Sequence, residues 1–225
     1  MMEKPLINIG IVSDVVCPWC YIGKRRLEQA MAFASDRFDF ELEYLPFELN
    51  PHLPEEGIDN QEYLCKKFGS KSKFEQVIAH VKHVAAREGL EFNFEKQQTY
   101  PNTRNAHRII LMARETGKQN DVIEALFRAY FTNGVDLSNK ENLIGIAAGA
   151  GLDRERVTLL MEGNTGKTQI EMAEKELHVL GINSVPLFII NNKTAISGAQ
   201  SVETFTRAFD EMALVTNEMQ RYARL

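Results

Sequence analysis

The chain has 225 residues, of which 44% are hydrophobic and 25% charged. This composition is typical of packed globular proteins, and the length predicts one domain with a large insertion, or two domains. The net charge of −5 disfavours a phosphate-neutralising surface, so nucleic acid is not expected as a partner. No stretch reaches the roughly 18 consecutive apolar residues of a membrane span, and no signal peptide is visible. We therefore expect a cytoplasmic protein without a membrane partner.

The N-terminal segment shows the pattern of a strand, a helix and a second strand. Leu6 to Ser13 is rich in β-branched residues and predicts a buried strand. Helix-forming residues follow from Tyr21 to Phe33, and Pro18 stands where a first helical turn tolerates a missing N–H. Alternating apolar and acidic residues from Phe38 to Tyr44 predict the second strand. This order predicts two parallel strands joined by a right-handed crossover.

After Pro51 the strand pattern stops, and apolar residues recur at helical spacing. We therefore predict an inserted, all-helical domain over residues 51–164. Within it, Ser138 to Glu141 matches a capping box, and Asp153 is a predicted N-cap. A further helix is predicted from about Thr165 to Leu180, followed by Gly181 as its C′ residue.

The strand pattern returns near the C-terminus. Leu187 to Ile190 and Thr194 to Ser197 predict an antiparallel hairpin that turns at Asn191 to Lys193. An amphipathic helix is predicted from Ser201 onward. Residues 1–50 and 165–225 thus form one predicted α/β unit of order βαβ…αββα, which the helical domain interrupts.

Two of the three cysteines stand at the start of the first predicted helix, as Cys17-Pro18-Trp19-Cys20. The free N–H groups and the positive dipole end of a helix N-terminus favour the thiolate form of Cys17, which is the nucleophile in disulfide exchange. Cys20, one turn further, is expected to be more buried and less acidic. The pattern predicts a redox pair in which Cys17 attacks and Cys20 resolves the mixed disulfide.

Two other interpretations of the pair are open. The cysteines could form half of a zinc site, which would need Cys65 and a histidine as further ligands, or they could be inert structural residues. A Cys-x-x-Cys beside a strand–helix–strand pattern favours the thioredoxin-like redox motif over both. We therefore predict no bound metal and no cofactor besides the cysteine pair itself.

A proline directly precedes the predicted strand that begins at Leu187. Because proline donates no hydrogen bond to a sheet, its place at the first position of a strand frees the backbone before it for another partner. Val185 is thus predicted to pair with an extended substrate chain, next to Pro186. An ordinary proline at a sheet edge is the alternative.

These motifs resemble those of the DsbA family of thioredoxin-fold oxidoreductases, in particular its FrnE-like branch. The resemblance implies a thioredoxin-like fold interrupted by an all-helical insertion, and thiol–disulfide oxidoreductase or isomerase activity. It also implies a cis peptide bond between Val185 and Pro186, facing the cysteines. The stretches that carry the resemblance are Ser13 to Gly23, Phe47 to Pro51, Asn102 and Thr103 with Ala106 to Arg108, Gly181 to Pro186, and Ser197 to Gln200.

One residue departs from the pattern of the periplasmic members. Trp19 stands where those relatives usually carry a histidine. In a cytosol poised at about −220 to −320 mV, a cysteine pair with a thioredoxin-like or a DsbA-like reduction potential would be largely reduced. We therefore expect a resting dithiol that reduces or reshuffles disulfides of polypeptides or small molecules, with glutathione or a thioredoxin system as its thiol reductant.

A second enzymatic function is compatible with the same fold. Kappa-class glutathione transferases and 2-hydroxychromene-2-carboxylate isomerases are similar in fold and insertion, which makes a glutathione-dependent isomerase or transferase the alternative. Those relatives use a serine at the position of Cys17, and they tend to carry an Asp-Arg pair where this chain has Gly198 to Gln200. Both differences disfavour the alternative.

Several polar residues are candidates for supporting roles. Asp14 could accept a proton from Cys20, or it could be a local turn partner. Asn102 and Thr103 resemble positions near a substrate groove, but both also suit a helix N-cap. His107, on the same predicted helix, is a further groove candidate or a packed side chain.

The remaining candidates are apolar or carry a thiol. Pro18 and Trp19, with Tyr21, could form an apolar rim that contacts the substrate beside the cysteines, or they could be partly exposed residues without a role. Cys65 lies on a predicted helix and is interpreted as a spectator thiol, with a regulatory oxidation site as the alternative.

Overall fold

A computed structural model describes residues 4–222 of the chain, and the side chains of residues 4–212. Residues 1–3 and 223–225, which belong to the predicted α/β unit, lie outside the described residues. The strands are β1 (Leu6–Ser13), β2 (Asp39–Pro46), β3 (Ile58–Asp59), β4 (Thr99–Tyr100), β5 (Leu187–Ile190) and β6 (Thr194–Ser197). The α-helices are α1 (Pro18–Phe33), α2 (Asn60–Phe68), α3 (Lys71–Arg87), α4 (Arg104–Arg114), α5 (Gln119–Phe127), α6 (Lys140–Gly149), α7 (Arg154–Glu162), α8 (Lys167–Val179) and α9 (Val202–Tyr222).

The main sheet combines both outer segments of the chain in the order β2-β1-β5-β6. β1 pairs parallel with β2, as predicted, because α1 carries the chain back to the same end of the sheet. β5 pairs antiparallel with both β1 and β6. The predicted hairpin is confirmed, and its turn uses Asn191 and Asn192 at positive φ, a conformation that asparagine tolerates.

One face of the sheet packs against α1 and α9. Phe188 of β5 is fully buried, and its ring meets the ring of Phe205 in α9 at a centroid distance of 4.9 Å. On the same face, α1 lies so close that a Cβ atom at Gly23 would come within 2.9 Å of the Phe188 ring. The helix that begins with the cysteine pair is thus pressed directly onto the centre of the sheet.

The segment between the outer units is mainly helical, with one departure from the prediction. Ile58 and Asp59 pair antiparallel with Tyr100 and Thr99, which forms a small second sheet. The expectation that the strand pattern stops after Pro51 is therefore wrong at this point. Two-residue strands are too short to produce an alternating pattern, so the sequence gives no signal for them.

The helix caps agree with the sequence at two sites and differ at a third. Asp153 accepts a hydrogen bond from the Arg156 N–H, and Gly181 follows α8 at positive φ. The predicted capping box begins one residue too early: Asn139, not Ser138, is the N-cap of α6. The Ser138 hydroxyl instead donates to the Glu56 carbonyl at 2.9 Å, so it is engaged outside the helix.

The helical segment and the sheet share one hydrophobic core. Tyr21 of α1 stacks on Phe127 of α5 with a centroid distance of 4.8 Å, and Phe131 in the π-helical turn after α5 lies nearby. The division into residues 1–50 with 165–225 and an inserted domain at 51–164 stays a prediction. No helix within residues 4–222 is long and apolar enough to cross a membrane.

Candidate active site

The cysteine pair occupies the first turn of α1. Cys17 is the N-cap residue with extended backbone angles, and Pro18 takes the first helical position, where its missing N–H costs nothing. The Cys20 N–H donates to the Cys17 carbonyl at 3.0 Å, which closes the turn and brings the two side chains to one end of the helix. Both thiols are free, with exposed fractions of 5% for Cys17 and 2% for Cys20.

The loop before β5 lies against Cys17. The peptide bond between Val185 and Pro186 is cis, the geometry that the resemblance implied. The Cys17 Sγ donates to the Val185 carbonyl oxygen at 3.8 Å. The Pro186 carbonyl accepts from the Gly198 N–H at 2.8 Å, which fixes the loop to the end of β6. Because β1 and β5 are sheet neighbours, the loop and the start of α1 meet at the same edge.

Cys20 is held as a thiol by its surroundings. Burial, together with hydrogen bonding and charge repulsion from Cys17, raises the pKa of Cys20 well above its usual value. The Asp14 backbone and the Ser13 side chain lower this pKa, but they do not offset the effect of burial. As predicted, Cys20 is the more buried member of the pair, and its surroundings favour the thiol form.

Asp14 and His107 form a buried contact beneath the pair. One Asp14 carboxylate oxygen accepts from the Leu49 N–H at 2.7 Å, and the other lies 3.4 Å from His107 Nε2. Burial by itself lowers the pKa of His107, but the Asp14 carboxylate, with Glu48 and Glu174 further away, outweighs it and raises this pKa overall. The imidazole is thus able to hold a proton although it is almost fully buried.

Asn102 and Thr103 stand before α4 and act on the backbone. The Asn102 side chain donates to the Leu53 carbonyl at 2.9 Å and accepts from the Arg104 N–H at 3.0 Å. Thr103 occupies the N-cap position, but its side chain makes no capping hydrogen bond. Of the two capping candidates, Asn102 is therefore the one whose side chain binds a helical N–H.

An apolar pocket of about 120 Å³ opens beside the cysteine turn. Val16 and Pro18 line one end, and Lys67 of α2 also contributes to the lining. Trp19 lies near the His80 ring, at a centroid distance of 6.1 Å. The other lining residues of the pocket are mostly aromatic or aliphatic and include Phe68, Phe74, Val77, Val81, Tyr100 and Tyr130.

Sequence reasoning missed a group of charged residues next to His107, of which Glu48 is buried and Arg104 and Glu174 are partly buried. The Glu48 carboxylate is fully buried and accepts from Arg104 Nε at 2.9 Å, while the Glu48 N–H donates to Glu174 Oε1 at 2.5 Å. Burial raises the pKa of both Glu48 and Glu174. The only sequence signal was an acidic residue between Phe47 and Leu49, two apolar neighbours at the end of a strand.

Cys65 lies on α2 as a free, half-buried thiol. Within the part of the chain whose side chains are described, no group of three or more His, Cys, Asp or Glu residues is arranged to hold a metal ion. The zinc ligand set that the sequence allowed is therefore not assembled among those residues. The spectator role of Cys65 stays a prediction.

Comparison with known proteins places this geometry in a family. The model of the DSBA-like thioredoxin domain matches residues 8–210. The chain belongs to this family. It is 28% identical to the uncharacterized protein YwbO of Bacillus subtilis over 206 residues, which cover 91% of this chain and 96% of that protein. The crystal structure of a probable DsbA oxidoreductase from Streptomyces coelicolor has a TM-score of 0.85 at 30% identity, over 91% of this chain and 89% of the other.

More distant structures share the fold alone. A 2-hydroxychromene-2-carboxylate isomerase has a TM-score of 0.62 at 14% identity, over 96% of both chains. The cytosolic disulfide reductase DsbM from Pseudomonas aeruginosa, in a structure with GSH, has a TM-score of 0.59 at 14% identity, over 95% of this chain and 99% of the other. The DsbA-like oxidoreductase fold therefore hosts both functions that the sequence suggested.

Proposed function

We propose that the protein is a thiol–disulfide oxidoreductase in which Cys17 and Cys20 exchange disulfides with a substrate. The observation that carries this proposal is the pair of free sulfurs in one helical turn, with the Cys17 Sγ next to the Val185 carbonyl. The helix N-terminus favours the Cys17 thiolate, and burial keeps Cys20 as a thiol until the second step.

The reaction has two exchange steps. The Cys17 thiolate attacks a substrate disulfide, one sulfur–sulfur bond breaks, and the first substrate thiol leaves while a mixed disulfide with Cys17 remains. Cys20 then loses its proton and attacks Cys17 Sγ, and the second substrate thiol is released. The substrate disulfide is reduced to two thiols, and the enzyme dithiol is oxidised to a disulfide. In an isomerase reaction Cys20 does not react. Instead, another thiol of the substrate attacks the mixed disulfide, forms a new disulfide within the substrate and releases the Cys17 thiolate.

Two features support binding of a substrate next to the sulfurs. The Val185 backbone lies beside Cys17, where an extended substrate segment can pair with it, and Pro186 holds the loop at the start of β5. The pocket beside Pro18 suits an apolar side chain or a small apolar group near the disulfide. Polypeptide and small-molecule disulfides are both compatible with this site.

We further propose that the enzyme needs no cofactor and that it rests in the reduced form, as expected in a reducing cytosol. A thiol reductant, glutathione or a thioredoxin system, then regenerates the dithiol after each turnover. The fold match with a disulfide reductase in a structure with GSH motivates glutathione as the first candidate to be tested. The redox potential of the pair, measured against glutathione, decides whether the enzyme acts as a reductant.

Reduction of insulin by the purified protein tests the proposal. We expect Cys17→Ser to abolish activity and Cys20→Ala to accumulate a mixed disulfide with substrate, while Cys65→Ser serves as the control with full activity. Glutathione-dependent isomerisation of an aromatic substrate that survives Cys20→Ala, together with no insulin reduction by the wild type, would contradict the proposal and support the isomerase alternative.

A further inference from the structure

Cys20 needs a route for its proton. Only a thiolate attacks a disulfide, yet Cys20 is 2% exposed and its surroundings favour the thiol. Bulk water therefore does not reach this sulfur directly. The second exchange step requires a nearby group that takes the proton and passes it on.

Ser13 is the first group on such a route. It is the last residue of β1, it is buried, and its side chain lies near enough to the Cys20 thiol to lower the pKa of that group. Ser13 and His107 line one small cavity of about 10 Å³, next to Tyr44. A cavity of this size has room for about one water molecule. One water there would connect the Ser13 hydroxyl with the His107 side chain.

His107 is surrounded by groups that favour a proton on its ring. Asp14 faces it from the loop after β1, Glu48 from the segment after β2, Glu174 from α8, and Arg104 from its own helix α4. Three carboxylates against one guanidinium stabilise an imidazolium. Apart from their mutual contact at 3.4 Å, neither His107 Nε2 nor the facing Asp14 Oδ1 has a hydrogen-bond partner among residues 4–212.

We propose that neutral His107, supported by Asp14, accepts the Cys20 proton through Ser13 and a water molecule in the shared cavity. The inference rests on the proposed function and assigns the proton of its second step. As the Cys20 S–H bond breaks, Ser13 takes this proton and gives its own to the water, which gives one to the imidazole. The Cys20 sulfur bonds to Cys17, and the substrate sulfur leaves as a thiolate. The imidazolium later releases its proton, which neutralises this substrate thiolate.

The two exchange steps can be measured separately with dithiobis(nitrobenzoate). Cys17 attack releases the first coloured thiol, and Cys20 attack on the resulting mixed disulfide releases the second. All proteins carry Cys65→Ser, so that this third thiol adds no signal. The variants are His107→Gln and Ser13→Ala, and the matched control is His83→Gln, which changes an exposed histidine of α3.

We expect His107→Gln to slow the second release by about 100-fold at neutral pH, the size of a lost general base, and to leave the first release unchanged. In the wild type the second release rises with pH until His107 is neutral and then levels off. In His107→Gln the rate of the second release keeps rising with pH, because hydroxide replaces the missing base. The difference in this rate between the variant and the wild type therefore shrinks at alkaline pH. Ser13→Ala acts in the same direction, and His83→Gln behaves as the wild type.

A second release at the wild-type rate in His107→Gln would overturn the inference. Equal slowing of both releases at every pH would also overturn it, because this result indicates a structural role only. If His107→Gln does not fold, Ser13→Ala decides by the same criteria. A folded wild-type protein that gives no second release at all contradicts the proposed function itself, which separates the two failures.

Discussion

Two groups of buried and partly buried charges lie near the cysteine turn, and they are built differently. Along α1, the Lys24 ammonium lies between Glu28 at 2.5 Å and Glu124 at 2.6 Å, and Arg25 binds the same two carboxylates. We call these four residues the paired cluster. Its charges meet directly, and the Tyr21 hydroxyl donates to Glu124 at 2.7 Å. The ion pairs of the paired cluster join α1 directly to α5 and stabilise the packing of the two helices.

The second group contains Asp14, Glu48, Arg104, His107 and Glu174, and we call it the open cluster. Asp14 Oδ1, Glu48 Oε2 and His107 Nε2 lack hydrogen-bond partners within the part of the chain whose side chains are described. Unsatisfied buried polar atoms cost stability, so a cluster that keeps several of them calls for another explanation. Under the proposed proton route, direct pairing stabilises the fold, whereas the unfilled hydrogen-bonding capacity of the open cluster is available for proton transfer from Cys20.

Lys24→Met gives the largest effect in this comparison. Lys24 is 2% exposed, and its loss leaves two partly buried carboxylates with Arg25 as their remaining cation. We expect the free energy of unfolding to fall by about 3 kcal/mol, measured by urea denaturation, because one partner of a buried ion pair is removed.

The control for Lys24→Met is Lys82→Met, which removes an exposed ion pair with Glu95 and should cost less than about 1 kcal/mol. In the folded fraction of Lys24→Met, the second thiol release should keep its wild-type pH dependence. A changed pH profile of the second release in Lys24→Met would contradict the view that only the open cluster acts in proton transfer.

Gly23→Ala perturbs the same helix without touching either cluster. The new Cβ would lie 2.9 Å from the Phe188 ring and 3.4 Å from Pro186, so α1 must move away from the sheet. We expect a loss of about 1–2 kcal/mol in unfolding free energy from this overpacking, and both thiol releases should slow together. Gly145→Ala is the matched control, because nothing lies within 4 Å of a Cβ there, and it should gain up to about 1 kcal/mol. Slowing of the second release alone in Gly23→Ala would contradict this expectation.

Glu48→Gln has the smallest effect on stability and tests the open cluster by charge. The amide keeps a hydrogen-bond acceptor for Arg104 but removes a negative charge that helps to raise the pKa of His107. The pKa of His107 should therefore fall, and the pH at which the second release levels off should move down with it. Titration of the His107 ring signal by NMR measures the shift directly, with His83 as the internal reference. An unchanged His107 titration would show that Glu48 does not act on this ring.

The same charge arrangement makes a prediction about the sign of the stability change with pH. The pKa of His107 in the folded state is raised. Its contribution to stability is therefore fully present below the pKa of the unfolded chain and is lost as the pH rises through the folded-state value. In Glu48→Gln this contribution should be smaller, and its loss should be complete at lower pH than in the wild type, which urea unfolding across the pH range measures.

Much of the fold could be predicted from the sequence because its signals are local. The β-branched run of β1 predicted its bounds, Leu6–Ser13, and two short strand-like runs on either side of an Asn-Asn-Lys turn predicted the hairpin of β5 and β6. The pairing of β3 with β4 was missed because two residues form no pattern. The N-cap of α6 was predicted one residue too early because Ser138 and Asn139 are both good N-caps. The contact of Ser138 with Glu56, which decides between them, is not visible in the sequence.

The candidate site likewise contains residues that a local sequence signal identifies and residues that only the fold brings together. Cys17 and Cys20 carry a spacing motif, and Pro186 stands at a strand start, so sequence reasoning selected them. The open cluster joins residues from the loop after β1, the segment after β2, and helices α4 and α8. No local pattern records that these four segments meet. His107 was noticed only through a family resemblance, and Ser13 only as part of a longer motif.

The contact between Cys17 and Val185 joins residues that are 168 positions apart. During translation, β1, α1 and β2 are made early, whereas the segment that completes the site emerges only near the end of synthesis. A nascent chain therefore carries both cysteines long before it carries the loop that contacts Cys17. Under the proposed function, productive exchange has to wait until the polypeptide is almost finished, and fragments truncated before this loop should react as ordinary dithiols without substrate preference.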